Sequence, residues 1–92
     1  MILRIRHKGL RSFWHTGNSS GINQNWVETI DQILFLLNNA TLPEDIDIPG
    51  LRLHGLKGTL KGFYSVKVSR NWRIIFRFED GNVTDVDLID YH

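Results

Sequence analysis

The residues best suited to chemistry in this 92-residue chain fall in two short segments. LHGLKG, at 53–58, sets His54 at a strand end with Lys57 three residues on, where glycines let the backbone approach a ligand closely. IDYH, at 89–92, puts Asp90, Tyr91 and His92 in a row. A histidine near its ordinary pKa of about 6.5 gives or takes protons at neutral pH. Lysine and arginine hold a phosphate and stabilise charge that develops on it. These are the parts needed for metal-free RNA cleavage by the 2′-hydroxyl. A base removes the 2′-OH proton, cations support the phosphorane, and an acid protonates the departing 5′-oxygen. Taken singly, each residue also has an ordinary structural explanation. A histidine after a strand is commonly a surface residue, terminal residues fray, and Arg73 between Trp72 and Ile74 suits an exposed strand position.

Other chemistries are excluded by what the chain lacks. With no cysteine there is no thiolate nucleophile, thiolate metal site or disulfide framework. There is no HExxH, no Walker glycine-rich loop and no carboxylate pair at a motif spacing. The four histidines are scattered, so neither a metal nor a cofactor is expected. No apolar run reaches the roughly 18 residues of a membrane span. The opening MILRIRHKG lacks the apolar stretch of a secretory signal, so a cytoplasmic domain is the expectation. The length suits one domain over 1–92, and 41% hydrophobic residues suffice for its core.

The elements that must position the reactive residues follow from periodicity. ILRIR, at 2–6, alternates apolar and basic residues and reads as a short strand. A short helix is expected from Lys8 to about His15, with Leu10, Phe13 and Trp14 on one side. Asn23 is placed to cap a second helix running to about Asn39. Its residues Trp26, Val27, Ile30, Ile33, Leu34, Leu37 and Ala40 make one buried stripe. TLPEDIDIPG, at 41–50, is an acidic connector. Strands are then expected at 51–54, 63–68, 72–78 and 83–91, with a glycine-rich loop at 55–62 and turns at SRN and EDGN.

The period of two also proposes a register. Pairing Val68 with Trp72, Val66 with Ile74 and Tyr64 with Phe76 collects apolar residues on one face, under the helices. Pairing Ile74 with Leu88, Phe76 with Val86 and Phe78 with Thr84 continues that face. The other face, expected to be open, then carries Phe63, Ser65, Lys67, Arg73, Ile75, Arg77, Asp85 and Asp87. Arg77 would oppose Asp85, whereas Lys67 would oppose Arg73, a repulsive arrangement that a bound anion relieves. The charge pattern agrees with such a face. The net charge is only +1, yet residues 52–77 hold seven bases and no acid, and 28–47 hold five acids and no base. Segregation of this kind serves either a polyanion-facing surface or mutual neutralisation within the fold.

In order, LHGLKG, FYSVKV, SRNWRIIFRF, EDGN and a chain ending in DYH resemble the HigB toxins of bacterial toxin–antitoxin modules, within the RelE/ParE superfamily. The N-terminal IRHKGL and the long helix before an Ala-Thr turn are similar too. The resemblance implies an α+β fold, with two N-terminal helices packed on a mainly antiparallel twisted β-sheet, as in microbial ribonucleases. It implies a ribosome-dependent endoribonuclease that cuts mRNA in the A site without a metal. Carried over by position, His54, Arg73, Asp90, Tyr91 and His92 form the catalytic set. His54, His92 and Asp90 share proton transfer, Tyr91 stacks on or bonds a base, and Arg73 and Lys57 meet the scissile phosphate. Lys61, Lys67, Arg70 and Arg77 are expected to add affinity for RNA backbone. The implied partners are the ribosome with its mRNA and a HigA-type helix-turn-helix antitoxin, with operator DNA bound only through the toxin–antitoxin complex. Two rival readings share the fold or the charge: a ParE-like gyrase poison, and a non-catalytic RNA- or protein-binding module.

Overall fold

The computed structural model describes residues 1–91. Helix α1 spans Lys8–Thr16, and its first turn is capped by His7, whose Nδ1 accepts the Leu10 N–H at 3.1 Å. Gly17, at φ 79°, ends the helix and donates its N–H to the Phe13 carbonyl. Gly9 lies against the following loop so closely that an added Cβ would sit 2.2 Å from the Gly21 carbonyl oxygen. Asn23 caps as expected, but it caps a 3-10 turn over Gln24–Trp26; helix α2 proper runs over Val27–Asn39. Ile30, Ile33, Leu34, Leu37 and Ala40 are all buried, so the apolar stripe packs into the core as its spacing requires. The acidic connector holds a further 3-10 turn at Pro43–Ile46, with Ile46 fully buried.

Four strands form one antiparallel sheet in sequence order: β1 (His54–Gly55), β2 (Tyr64–Ser69), β3 (Trp72–Glu79) and β4 (Asn82–Asp90). Both hairpins turn on two residues, Arg70-Asn71 and Asp80-Gly81. The second has positive φ at both positions, which the Asp-Gly pair takes readily. Val66, Ile74, Phe76, Val83, Val86 and Leu88 meet the helices in a single core. The two-helix, antiparallel-sheet expectation therefore holds.

Several details differ from the periodic reading. The strand expected at 51–54 reduces to His54–Gly55, because Arg52 sits at φ 51° and cannot continue an extended run. The segment at 2–6 makes two isolated parallel bridges beside β4, Ile2 with Val83 and Ile5 with Val86, rather than a continuous strand. Trp72 pairs with Ser69 and not Val68, since β2 bulges between Lys67 and Ser69. The pairings Tyr64–Phe76, Val66–Ile74, Lys67–Arg73 and Ile74–Leu88 stand. Beyond Ile75 the ladder shifts by one residue, so Arg77 opposes Thr84 and Phe78 opposes Val83, displacing the expected Phe76–Val86, Phe78–Thr84 and Arg77–Asp85 pairs. One extra β4 residue is accommodated in a bulge, with Asp85 at φ 53°. The two N-terminal bridges straddle this bulge, which is why they do not join.

The second face of the sheet is not simply open either: Ser65, Ile75, Thr84 and Asp85 are buried. At its far end Asp85 is the centre of an ionic cluster. Its carboxylate accepts from Arg77 Nε at 2.6 Å and lies 3.4 Å from Arg6 and 3.5 Å from Arg4, with a side chain only 6% exposed. Arg6 also covers the Phe63 ring. The expected Arg77–Asp85 ion pair thus forms across a bulge instead of a ladder rung, and it ties the N-terminal segment to β3 and β4.

Burial is the largest influence on the Asp85 carboxyl and pushes its pKa up. The Arg77 hydrogen bond with the charges of Arg6, Arg77 and Arg4 outweighs it and leaves the group below its ordinary value of 3.8. A folded-state pKa below the unfolded one means that this contribution is complete above about pH 4 and is lost as pH falls through the lower folded value. Asp85→Asn is expected to lower the melting midpoint at neutral pH by roughly 5–10 °C. It should also flatten the decline of that midpoint below about pH 4, which a thermal scan at several pH values measures. Parallel pH profiles for the two proteins would overturn the assignment.

Candidate active site

At the hairpin end of the same face, away from the ionic cluster, lies a cleft of about 430 Å³. It is lined by His54, Gly55, Leu56, Lys57, Ser65, Arg70, Asn71, Arg73 and Tyr91. Among the described residues Lys57, Arg70 and Arg73 line it and no carboxylate does, a composition suited to an anion.

Each side chain arrives by a different structural route. His54 and Gly55 form β1, held to β2 by the His54–Ser65 and Gly55–Tyr64 pairings. The Leu56 N–H donates to the Phe63 carbonyl at 2.8 Å and closes the glycine-rich loop, so Lys57 leaves the sheet at a defined point. Lys57 precedes a 3-10 turn over Gly58–Leu60 that the sequence reading treated as plain loop. Arg70 and Asn71 are the two turn residues between β2 and β3, and Arg70 holds φ 37°, a backbone region that costs a non-glycine residue energy. Arg73 stands one residue into β3, and its neighbour Trp72 packs on Trp26 with ring centroids 5.4 Å apart. That contact pins the start of β3 to the start of α2. The Tyr91 N–H donates to the Asn71 carbonyl at 2.7 Å, bringing the end of the chain back beside the turn.

Arg73 is held on one nitrogen: Nη1 donates to Ser65 Oγ at 3.1 Å and to the Arg52 carbonyl at 3.3 Å. Lys67 does oppose Arg73, as the register demanded, but the guanidinium turns toward these neutral acceptors.

Of the residues singled out from sequence, His54, Lys57, Arg70, Arg73 and Tyr91 therefore share one cleft. Asp90 closes β4 opposite Trp72, next to Tyr91 in sequence but not on the cleft wall. His92 lies outside the described residues. Lys61 follows the 3-10 turn on the exposed surface, and Lys67 sits on β2; neither lines the cleft. Arg77 is drawn away to Asp85 and Glu79. Ser65 and Asn71 were not singled out as site residues. The register had already set Ser65 on the open face, as a small polar residue between apolar strand neighbours; Asn71 carried no sign beyond its place in a turn. Among the described residues no group of three or more His, Asp or Glu is arranged to hold a metal, and no helix is long and apolar enough to cross a membrane.

Comparison with known proteins adds independent information. Residues 3–92 match the family model of the RelE-like toxin of type II toxin–antitoxin system HigB. The chain is 35% identical over 92 residues to "Endoribonuclease HigB" of Proteus vulgaris, covering 100% of both chains. It is 31% identical over 83 residues to "Toxin HigB-1" of Vibrio cholerae, covering 88% of this chain and 87% of that one. Among solved structures it is similar to one from the YoeB–YefM complex of Staphylococcus aureus, with a TM-score of 0.64 and 17% identity over 100% of this chain and 95% of the other. At that identity the last likeness concerns the fold.

Proposed function

The chain belongs to the HigB family of RelE-like toxins from type II toxin–antitoxin systems, and on that premise we propose that it is an endoribonuclease cutting mRNA in the ribosomal A site. The observation that carries the reading is the cleft itself. It gathers His54, Lys57, Arg70, Arg73 and Tyr91 from separate segments around a space with no carboxylate among its described lining residues. The 2′-oxygen attacks phosphorus as its proton passes to a base, and the 5′-oxygen leaves as an acid protonates it. His54, Asp90 and His92 are the groups assigned to these transfers. Arg73 and Lys57 stabilise the charge on the phosphorane, and Tyr91, 40% exposed, stacks on a base. Arg70 neutralises an adjacent phosphate, while Lys61 and Lys67 add contacts beyond the cleft; Arg77, paired with Asp85, contributes least. No metal enters the scheme. A HigA-type helix-turn-helix antitoxin neutralises the toxin and brings the complex to operator DNA.

Cleavage products test this directly. Ribosomes programmed with a defined message should yield cuts mapped by primer extension to the A-site codon, and far fewer cuts on the same RNA free in solution. Attack by the 2′-oxygen leaves a 2′,3′-cyclic phosphate and a 5′-hydroxyl. A 5′-phosphate and 3′-hydroxyl would mean that an external water attacks, and the proton-transfer scheme would fall. Intact message together with topoisomerase-dependent DNA breaks in growing cells would replace the nuclease by a gyrase poison.

A further inference from the structure

Ser65 is the buried polar group of the cleft whose purpose the cleavage scheme leaves open. It is 0% exposed, at the position on β2 directly opposite His54 and one residue from the fully buried Val66. A hydroxyl taken out of water needs a partner, and among the described residues this hydroxyl meets Arg73 Nη1 at 3.1 Å. The same nitrogen donates to the Arg52 carbonyl at 3.3 Å. Arg52 presents that carbonyl from φ 51°, a conformation that an arginine adopts at an energetic cost. Two features that burden the fold, a buried hydroxyl and a left-handed arginine, therefore converge on one guanidinium nitrogen.

A guanidinium is planar, so fixing Nη1 fixes the direction of the other N–H groups. Among the described residues Nε and Nη2 of Arg73 meet no acceptor, and Arg73 lines the cleft. Those two nitrogens form the fork that grips two oxygens of one phosphate. Left unrestrained, the side chain has several rotatable bonds and a like charge opposite it at Lys67, which would drive it off this orientation.

We infer that Ser65, with the Arg52 carbonyl, is a positioning residue that presents the Nε/Nη2 edge of Arg73 to the scissile phosphate. The inference rests on the nuclease reading for its kinetic consequence, but the restraint on Arg73 is a property of the free protein.

The test pairs a spectroscopic with a kinetic measurement on Ser65→Ala. In arginine-labelled protein, the Arg73 guanidinium should show hindered rotation about the Cζ–Nη1 bond, and Ser65→Ala should release it. Cleavage on programmed ribosomes should fall about tenfold in kcat with little change in KM, the worth of one hydrogen bond realised at the reacting phosphate. Combined with Arg73→Ala, the Ser65→Ala change should have no additional effect, because its route to the chemistry is gone. Free rotation of the Arg73 guanidinium in the wild-type protein would overturn the proposal. So would a tenfold loss that persists in the Arg73→Ala background. Absence of cleavage by the wild type, with rotation hindered and released as described, would instead remove the nuclease reading and leave the positioning role intact.

Discussion

Arg73→Ala is expected to slow mRNA cleavage on the ribosome by about 10²–10³-fold, the usual effect of removing one preorganised donor from a site where negative charge develops. The magnitude follows from placement. The guanidinium lines a cleft with no carboxylate among its described residues and is anchored through Nη1, the arrangement of a preorganised donor. Arg73→Lys should recover only a small part of the activity. A lysine supplies the charge but cannot grip the phosphate with a planar fork while bonding Ser65 and the Arg52 carbonyl. The measurement is single-turnover cleavage on saturated ribosomes, with a melting curve for each variant to show that the fold persists. Near-wild-type rates for Arg73→Ala would remove Arg73 from the catalytic set.

The largest effect on stability is expected at Phe76. Its ring is fully buried, with centroids 6.1 Å from Tyr64 and 5.8 Å from Phe78, and it stands where β4 makes its bulge. Truncation leaves a large cavity bounded by strands that cannot collapse into it, so Phe76→Ala should cost about 3–5 kcal/mol. Proteins of this size are stable by about 5–14 kcal/mol in total, so the variant should melt roughly 15–30 °C lower or fail to accumulate. Phe35→Ala is the matched control. That ring is 65% exposed on α2, and its loss should change stability by less than about 0.5 kcal/mol. Chemical denaturation of both variants gives the comparison, and a Phe76→Ala cost below about 1 kcal/mol would show the core to be far more plastic than its packing indicates.

Much of the fold was legible because it rests on local periodicity. The α2 stripe from Ile30 to Ala40 and the alternation of Tyr64, Val66, Ile74 and Phe76 can each be satisfied in one way only, with the apolar side inward. The register near Ile74 followed for the same reason. Its failures lie at Ser69 and Asp85, where a bulge inserts one residue, a change with no periodic signature because the residues on either side still alternate. The candidate site residues could be named by type, because the order of histidine, arginine and lysine forms a recognisable pattern, and the fold brings His54, Lys57, Arg70, Arg73 and Tyr91 to one cleft.

What remained hidden was how Arg73 and Arg77 are each held, although the register already set Asp85 against Arg77 and only Lys67 against Arg73. They occupy the same face of the same strand, four residues apart, in a segment with seven bases and no acid. From sequence both were expected to meet RNA, Arg73 at the scissile phosphate and Arg77 on the backbone while also opposing Asp85. In the folded chain Arg77 meets Asp85, brought to it by the β4 bulge, whereas Arg73 meets the Ser65 hydroxyl and the Arg52 carbonyl beside an open cleft. The chemical type and the strand face of both arginines are written in the chain. The Arg77–Asp85 pairing could be read from the two-residue period, but the bulge that delivers Asp85 and the Ser65 and Arg52 acceptors that hold Arg73 come from distant segments and are decided only in the folded chain.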